Sequence, residues 1–128
     1  MSGSSNYPTE QSFQMALARL LRQVGWLKVD TEVWLADRRF RADIVASGRI
    51  GSHQGLVIEC KRQRPESLPK AIRQIASYRR AVSNRESFKW CLSWPTYRLT
   101  PKDFDALYQE DLYWMSPNAL MPIRKRKV

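Results

Sequence analysis

The sequence predicts an α/β fold in which a mixed β-sheet is flanked by helices, in the order α-β-β-β-α-β-α. Three observations predict it. Apolar residues recur at helical spacing in three segments, and four other segments are rich in β-branched and aromatic residues with alternating or continuous apolar character. A helical segment falls between the last two strands, the pattern that builds a parallel pair if those strands are neighbours. At 128 residues and 43% hydrophobic content, the chain has one domain's length and can bury a core without disulfides or a structural metal.

Residues 1–8 read as a polar lead. Thr9 is suited to cap a helix carrying Phe13, Ala16, Leu17, Leu20, Leu21 and Val24 at helical spacing, and Gly25 ends it. Residues 26–35, with Val29, Thr31, Val33 and Trp34, read as a strand. Asp37-Arg38 makes a turn into a second strand over 40–46, followed by a loop bounded by Ser47-Gly48 and Gly51-Ser52. Leu56-Val57-Ile58 opens a buried third strand that runs into Glu59-Cys60-Lys61, and 62–67 read as a loop. Leu68, Ala71, Ile72, Ile75 and Val82 define a second helix, with Pro69 in its first turn. Phe88, Trp90, Leu92 and Trp94 alternate with Lys89, Cys91 and Ser93 in a fourth strand stopped by Pro95. Thr100-Pro101-Lys102-Asp103 caps a third helix that continues through Phe104, Leu107 and Tyr108. The single domain is expected over 9–115, and 116–128 as an extended basic tail.

The net charge is +10, from 22 basic and 12 acidic residues. Residues 38–85 hold twelve of the basic residues and only three acids, Asp43, Glu59 and Glu66, so this segment alone carries +9. Residues 103–111 carry four acids and no base, and the last five residues add four basic ones. A basic face on a small domain is the footprint of a phosphate-backbone partner. An anionic membrane surface fits less well, because there is no basic amphipathic helix with a large aromatic face. No apolar run approaches the ~20 residues of a membrane span, and the N-terminus lacks the pattern of a secretory signal. Cys60 and Cys91 sit inside strand-like runs, and with His53 they are too few for a disulfide framework or a zinc cluster. These features predict a reduced, cytoplasmic domain.

Two carboxylates stand where strands should be apolar. Asp43 lies inside the second strand and Glu59 follows directly on Leu56-Val57-Ile58. Buried charges must be paired or must coordinate a cation. Glu59 and Lys61 point to one face of their strand and Cys60 to the other. If the second and third strands pair, Asp43 and Glu59 converge on that face and repel unless a proton or a divalent cation lies between them. Such an arrangement beside phosphate suits Mg²⁺, with Lys61 orienting or deprotonating a water and stabilising developing charge. The alternative is that Asp43 and Glu59 simply pair with Arg41, Lys61 or other nearby bases. Glu10, in the first turn of the opening helix, is as well explained by the helix N-terminus as by a metal-site role. Gln74 and Tyr78, four residues apart, share one helix face. They can contact a water, phosphate or base there, or simply mark the border of the apolar stripe.

Together these residues resemble the PD-(D/E)XK nuclease superfamily, the restriction-endonuclease-like fold shared by Holliday-junction resolvases and recombination exonucleases. The resemblance covers residues 9–94 in the order the fold requires, and the Gln74-x-x-x-Tyr78 element is similar to the recombination-exonuclease branch. Ala42 stands where the superfamily's name implies a proline. The resemblance implies Mg²⁺-dependent hydrolysis of DNA phosphodiester bonds, with Mn²⁺ able to substitute. Asp43, Glu59 and the Cys60 carbonyl would hold the metal, Glu10 a metal-bound water or second cation, Lys61 the nucleophilic water, and Gln74 water or phosphate. Charge then nominates Arg38, Arg39, Arg41, Arg62, Arg64, Arg73, Arg79 and Arg80, with Tyr78, for contact with the nucleic acid. A domain this small needs two active sites to cut both strands, which implies a homodimer or a larger protein complex.

Two other readings compete. One is a nucleic-acid-binding module, or a subunit of a nucleoprotein machine, that keeps the fold without turnover. The other is an assembly protein using its tryptophans at an interface. Trp34, Trp90 and Trp94 are expected in the core; Trp114 and the apolar stretch 115–122 are expected against a partner.

Overall fold

The computed structural model describes residues 9–61, 68–95, 98–116 and 120–124. Helix α1 (Glu10–Gln23) begins at Thr9, whose hydroxyl accepts from the Ser12 N–H at 2.9 Å while Ser12 Oγ accepts from the Thr9 N–H at 3.1 Å. It ends at Gly25, which takes a left-handed φ of 107°. Strands β1 (Lys28–Leu35), β2 (Phe40–Ser47) and β3 (Gly55–Cys60) follow, then α2 (Leu68–Ala81), β4 (Phe88–Ser93) and α3 (Pro101–Gln109). Each element expected from the sequence is present in the expected order. Two further strands follow α3: β5 (Leu112–Met115) and β6 (Pro122–Ile123).

The six strands form one mixed sheet in sequence order. β1–β2 and β2–β3 are antiparallel, β3–β4 and β4–β5 parallel, and β5–β6 antiparallel. Helix α2 makes the crossover between β3 and β4, and α3 makes the one between β4 and β5. Phe13, Leu17, Ala18 and Leu21 of α1 pack with Ile44, Ala46, Leu56, Ile58 and Cys60 on one face. On the other face α2 and α3 pack Ala71, Ile72, Ile75 and Leu107 against Val57, Trp90, Leu92 and Trp114. The result is three layers with a core on each side of the sheet. Gly55 is required where β3 begins: a Cβ there would lie 2.6 Å from the Ala46 carbonyl oxygen and 3.0 Å from the Phe88 ring.

Three expectations change. Trp34 is 51% exposed, because it shares the outward face of β1 with Lys28, Asp30 and Glu32 while Val29 on the other face is buried. Trp114 is buried within this chain, because β5 extends the sheet and α3 covers it. Trp26 precedes β1 and is buried in the α1-side core. Within the stretch expected as a tail, Pro122 and Ile123 pair with β5, and Arg124 donates to Asp111 at 2.6 Å with its guanidinium 4.4 Å from the centre of the Tyr108 ring. Among the described residues no helix is long and apolar enough to cross a membrane.

Candidate active site

β2 and β3 pair only through Ile44↔Ile58, Val45↔Val57 and Ala46↔Leu56. Beyond Ile44 the strands part, and a side chain takes over the role of the ladder. The Cys60 N–H donates to Asp43 Oδ2 at 2.7 Å. On its other edge β3 stays paired with β4 through Cys60↔Ser93, and the Lys61 N–H donates to the Ser93 carbonyl at 2.8 Å. Lys61 is thereby fixed on a central strand although it lies one residue past the end of β3.

Alternation along β3 sends Cys60 into the α1-side core and Glu59 toward α2. Glu59 is 8% exposed, and its carboxyl group is electrostatically coupled to that of Asp43. Burial, with the Asp43 charge second, pushes the Glu59 pKa up to about 8. Burial also raises Asp43, opposed by the Cys60 N–H. Lys61 lowers both, so the lysine charge is felt across the pair.

Helix α2 supplies the next contacts. Lys61 Nζ donates to Gln74 Oε1 at 3.2 Å, and Gln74 Nε2 donates to the Tyr78 hydroxyl at 2.9 Å. The two helix residues point the same way because they are one turn apart. The Tyr78 ring lies 4.5 Å from that of Phe40. A continuous chain therefore runs from the carboxyl pair through Lys61, Gln74 and Tyr78 to the β1–β2 hairpin.

Comparison of the chain with protein-family models, with curated proteins and with solved structures returns no match.

The remaining candidates divide. The Glu10 charge reaches the Cys60 thiol, whose pKa is raised far more by burial. Glu10 stays exposed at the head of α1. Among the described residues no three histidine, cysteine, aspartate or glutamate side chains form a metal cluster, so Asp43 and Glu59 stand as a pair. The Cys60 thiol is buried and held neutral, which leaves its main-chain carbonyl as the group it can offer a metal. Arg38, Arg39, Arg41 and Arg73 are exposed. Arg79 is committed to Glu86 at 2.8 Å and Asp111 at 4.0 Å, and Arg80 lies 3.5 Å from Glu110. Arg62 and Arg64 lie outside the described residues.

Two residues gain a place that spacing did not disclose. Phe40 backs Tyr78, and Glu32 lies across from Asp43 with a left-handed φ of 53°. The neighbouring pairs Thr31↔Ile44 and Val33↔Ala42 hold, so the distortion is local to the Glu32–Asp43 step. An aromatic opening a strand and a glutamate in an alternating one are ordinary sequence features; only the packing of β2 on α2 and the β1–β2 register join them to the site.

Proposed function

We propose that the chain is a divalent-cation-dependent deoxyribonuclease with a restriction-endonuclease-like fold. The observation that carries this reading is the electrostatically coupled carboxyl pair of half-buried Asp43 and buried Glu59, with the Lys61 charge acting on both and Gln74 holding the lysine. The donor set fits a hard cation: two coupled carboxyls desolvated by burial favour a proton or positive charge between them, and Mg²⁺ takes one or two carboxylates and keeps several waters. Asp43 and Glu59, with the Cys60 carbonyl, would hold it. When bound, it supplies Lewis-acid polarisation of a phosphoryl oxygen and acidifies a coordinated water. Lys61 donates hydrogen bonds to the charge that grows on the phosphate oxygens as the water oxygen bonds to phosphorus and the P–O bond to the leaving sugar oxygen breaks; the water gives up a proton to solvent and the leaving oxygen takes one from solvent. Gln74 accepts from the ammonium and donates to Tyr78, so the lysine is aimed before substrate arrives. The exposed arginines of the β1–β2 hairpin and Arg73 of α2 supply backbone contacts.

The test is cleavage of supercoiled plasmid, linear duplex, single strand and four-way junction in Mg²⁺, Mn²⁺ or EDTA. Metal-dependent cutting is expected, lost in Asp43→Ala and reduced about 10²–10³-fold in Lys61→Ala, with DNA binding retained in both. Binding without cutting on every substrate would instead favour the non-catalytic module.

A further inference from the structure

We propose that the β1–β2 hairpin is a stacking platform for an unpaired nucleobase, with Trp34 as the stacking residue and Arg38, Arg39 and Arg41 as its phosphate contacts. The proposal rests on the DNA-binding half of the nuclease reading and narrows its substrate to DNA with single-stranded character. Of the five tryptophans, Trp26, Trp90, Trp94 and Trp114 are 1–6% exposed and Trp34 is 51% exposed. An indole this open on an edge strand does little for the core. Its cross-strand neighbour Arg41 holds a guanidinium 5.7 Å from the indole centre. Arg39 lies 5.6 Å from the centre of the Phe40 ring in the same way. Arginine interleaved with aromatic rings is the chemistry that grips single strands, because every base offers a π-face and every nucleotide a phosphate.

The turn itself is unusual. Ala36, Asp37 and Arg38 all take left-handed backbone angles, with φ of 50°, 55° and 68°, and none is glycine. L-residues disfavour that region, and such runs persist where the surroundings enforce them and function uses them. The turn holds Arg38 and Arg39 exposed at the tip. Between the hairpin and residues 81–84 at the C-terminal end of α2 lies an open cleft of about 440 Å³, bordered by Trp34 and Arg39, which is room for a base. The hairpin also touches the candidate active site, since Phe40 stacks on Tyr78 and Tyr78 accepts from Gln74. A base held at Trp34 would therefore lie on the same strand pair that presents Asp43. A protein partner could also use an exposed tryptophan, but residues 36–41 carry three arginines against the one aspartate Asp37, which matches a polyanion.

The full chain is titrated in EDTA, so that nothing is cut, against labelled oligothymidylate and a blunt duplex of equal length over a salt series. Trp34→Ala is expected to weaken single-strand binding about ten-fold, with duplex binding within about two-fold and an unchanged salt slope. Trp34→Phe should recover most of the loss. Arg38→Ala with Arg39→Ala should flatten the salt slope on both ligands. Melting temperature and circular dichroism confirm that each variant is folded. Unchanged single-strand affinity in Trp34→Ala, or equal loss on both ligands, would overturn the proposal. A tryptophan-dependent single-strand preference without cutting in Mg²⁺ on any substrate would sink the nuclease reading and leave the platform standing. Cutting without that preference would do the reverse.

Discussion

Glu59 is a carboxylic acid in a position built for an aliphatic side chain, and its cost is set by what shares the site. Its folded pKa of about 8 lies above the ordinary 4.5. Between those values the native state holds a proton that the unfolded chain has released. The native state therefore binds more protons, and stability falls as pH rises. The contribution is complete below about pH 4.5 and is lost as pH climbs through 8. Asp43, also raised by burial, acts in the same direction. In EDTA the protein should melt several degrees lower at pH 9 than at pH 6, and Glu59→Gln, which stays neutral in the same shape, should lose less. A divalent cation should return much of the high-pH loss, since it replaces the proton. Equal pH dependence in the two proteins would mean that Glu59 carries its ordinary pKa. This pair was legible in the sequence because an acid that interrupts an apolar strand announces itself. The Gln74–Tyr78 pair was half legible: spacing put both on one helix face, and the contact with Lys61 needed the fold. Glu32 and Phe40 were not legible, because one is placed by cross-strand register and the other by a strand-to-helix ring contact.

The strands divide in the same way. β3 and β4 were readable because six residues of continuous or alternating apolar character outweigh local noise. β5 and β6 were not, because four and two residues are too few to show a period. β5 also follows an acidic helix, and only the neighbouring β4 makes it a strand. That gap explains the misplacement of Trp114, which looks like an interface residue until a fifth strand carries it under α3. Gly55 shows how closely the central strands are fitted. It starts β3, the strand that carries Glu59 near its far end, between Ala46 of β2 and Phe88 of β4. Gly55→Ala forces its Cβ onto a backbone oxygen that belongs to the ladder, so a rotamer change cannot relieve the clash. A loss of about 1–3 kcal/mol is expected, read as a lower midpoint in urea unfolding with an unchanged m-value. A melting curve like the parent's would mean that β2 and β4 spread freely at that end of the sheet.

Charge is organised over longer distances. The acidic stretch 103–111 does more than lower the net charge. Asp111 pairs with Arg124 and approaches Arg79, Glu110 approaches Arg80, and Glu86 pairs with Arg79. The α3 end of the molecule thus neutralises the C-terminal part of α2. The hairpin arginines and Arg73 stay exposed, beside the Lys61–Gln74–Tyr78 chain. If the nuclease reading holds, a phosphate backbone at the forked end of β2 and β3 would meet these exposed arginines. This separates two arginines that the sequence presents alike. Arg73→Ala should weaken DNA binding regardless of base sequence and reduce the salt slope by about one counterion. Arg79→Ala should leave the slope unchanged and cost about 1 kcal/mol of stability, because its side chain is only 16% exposed and already serves two acids. Binding isotherms at four or five salt concentrations, with a melt of each variant, resolve the two. A flattened slope in Arg79→Ala would mean that DNA draws this arginine away from Glu86, and the binding face would then extend along the whole of α2.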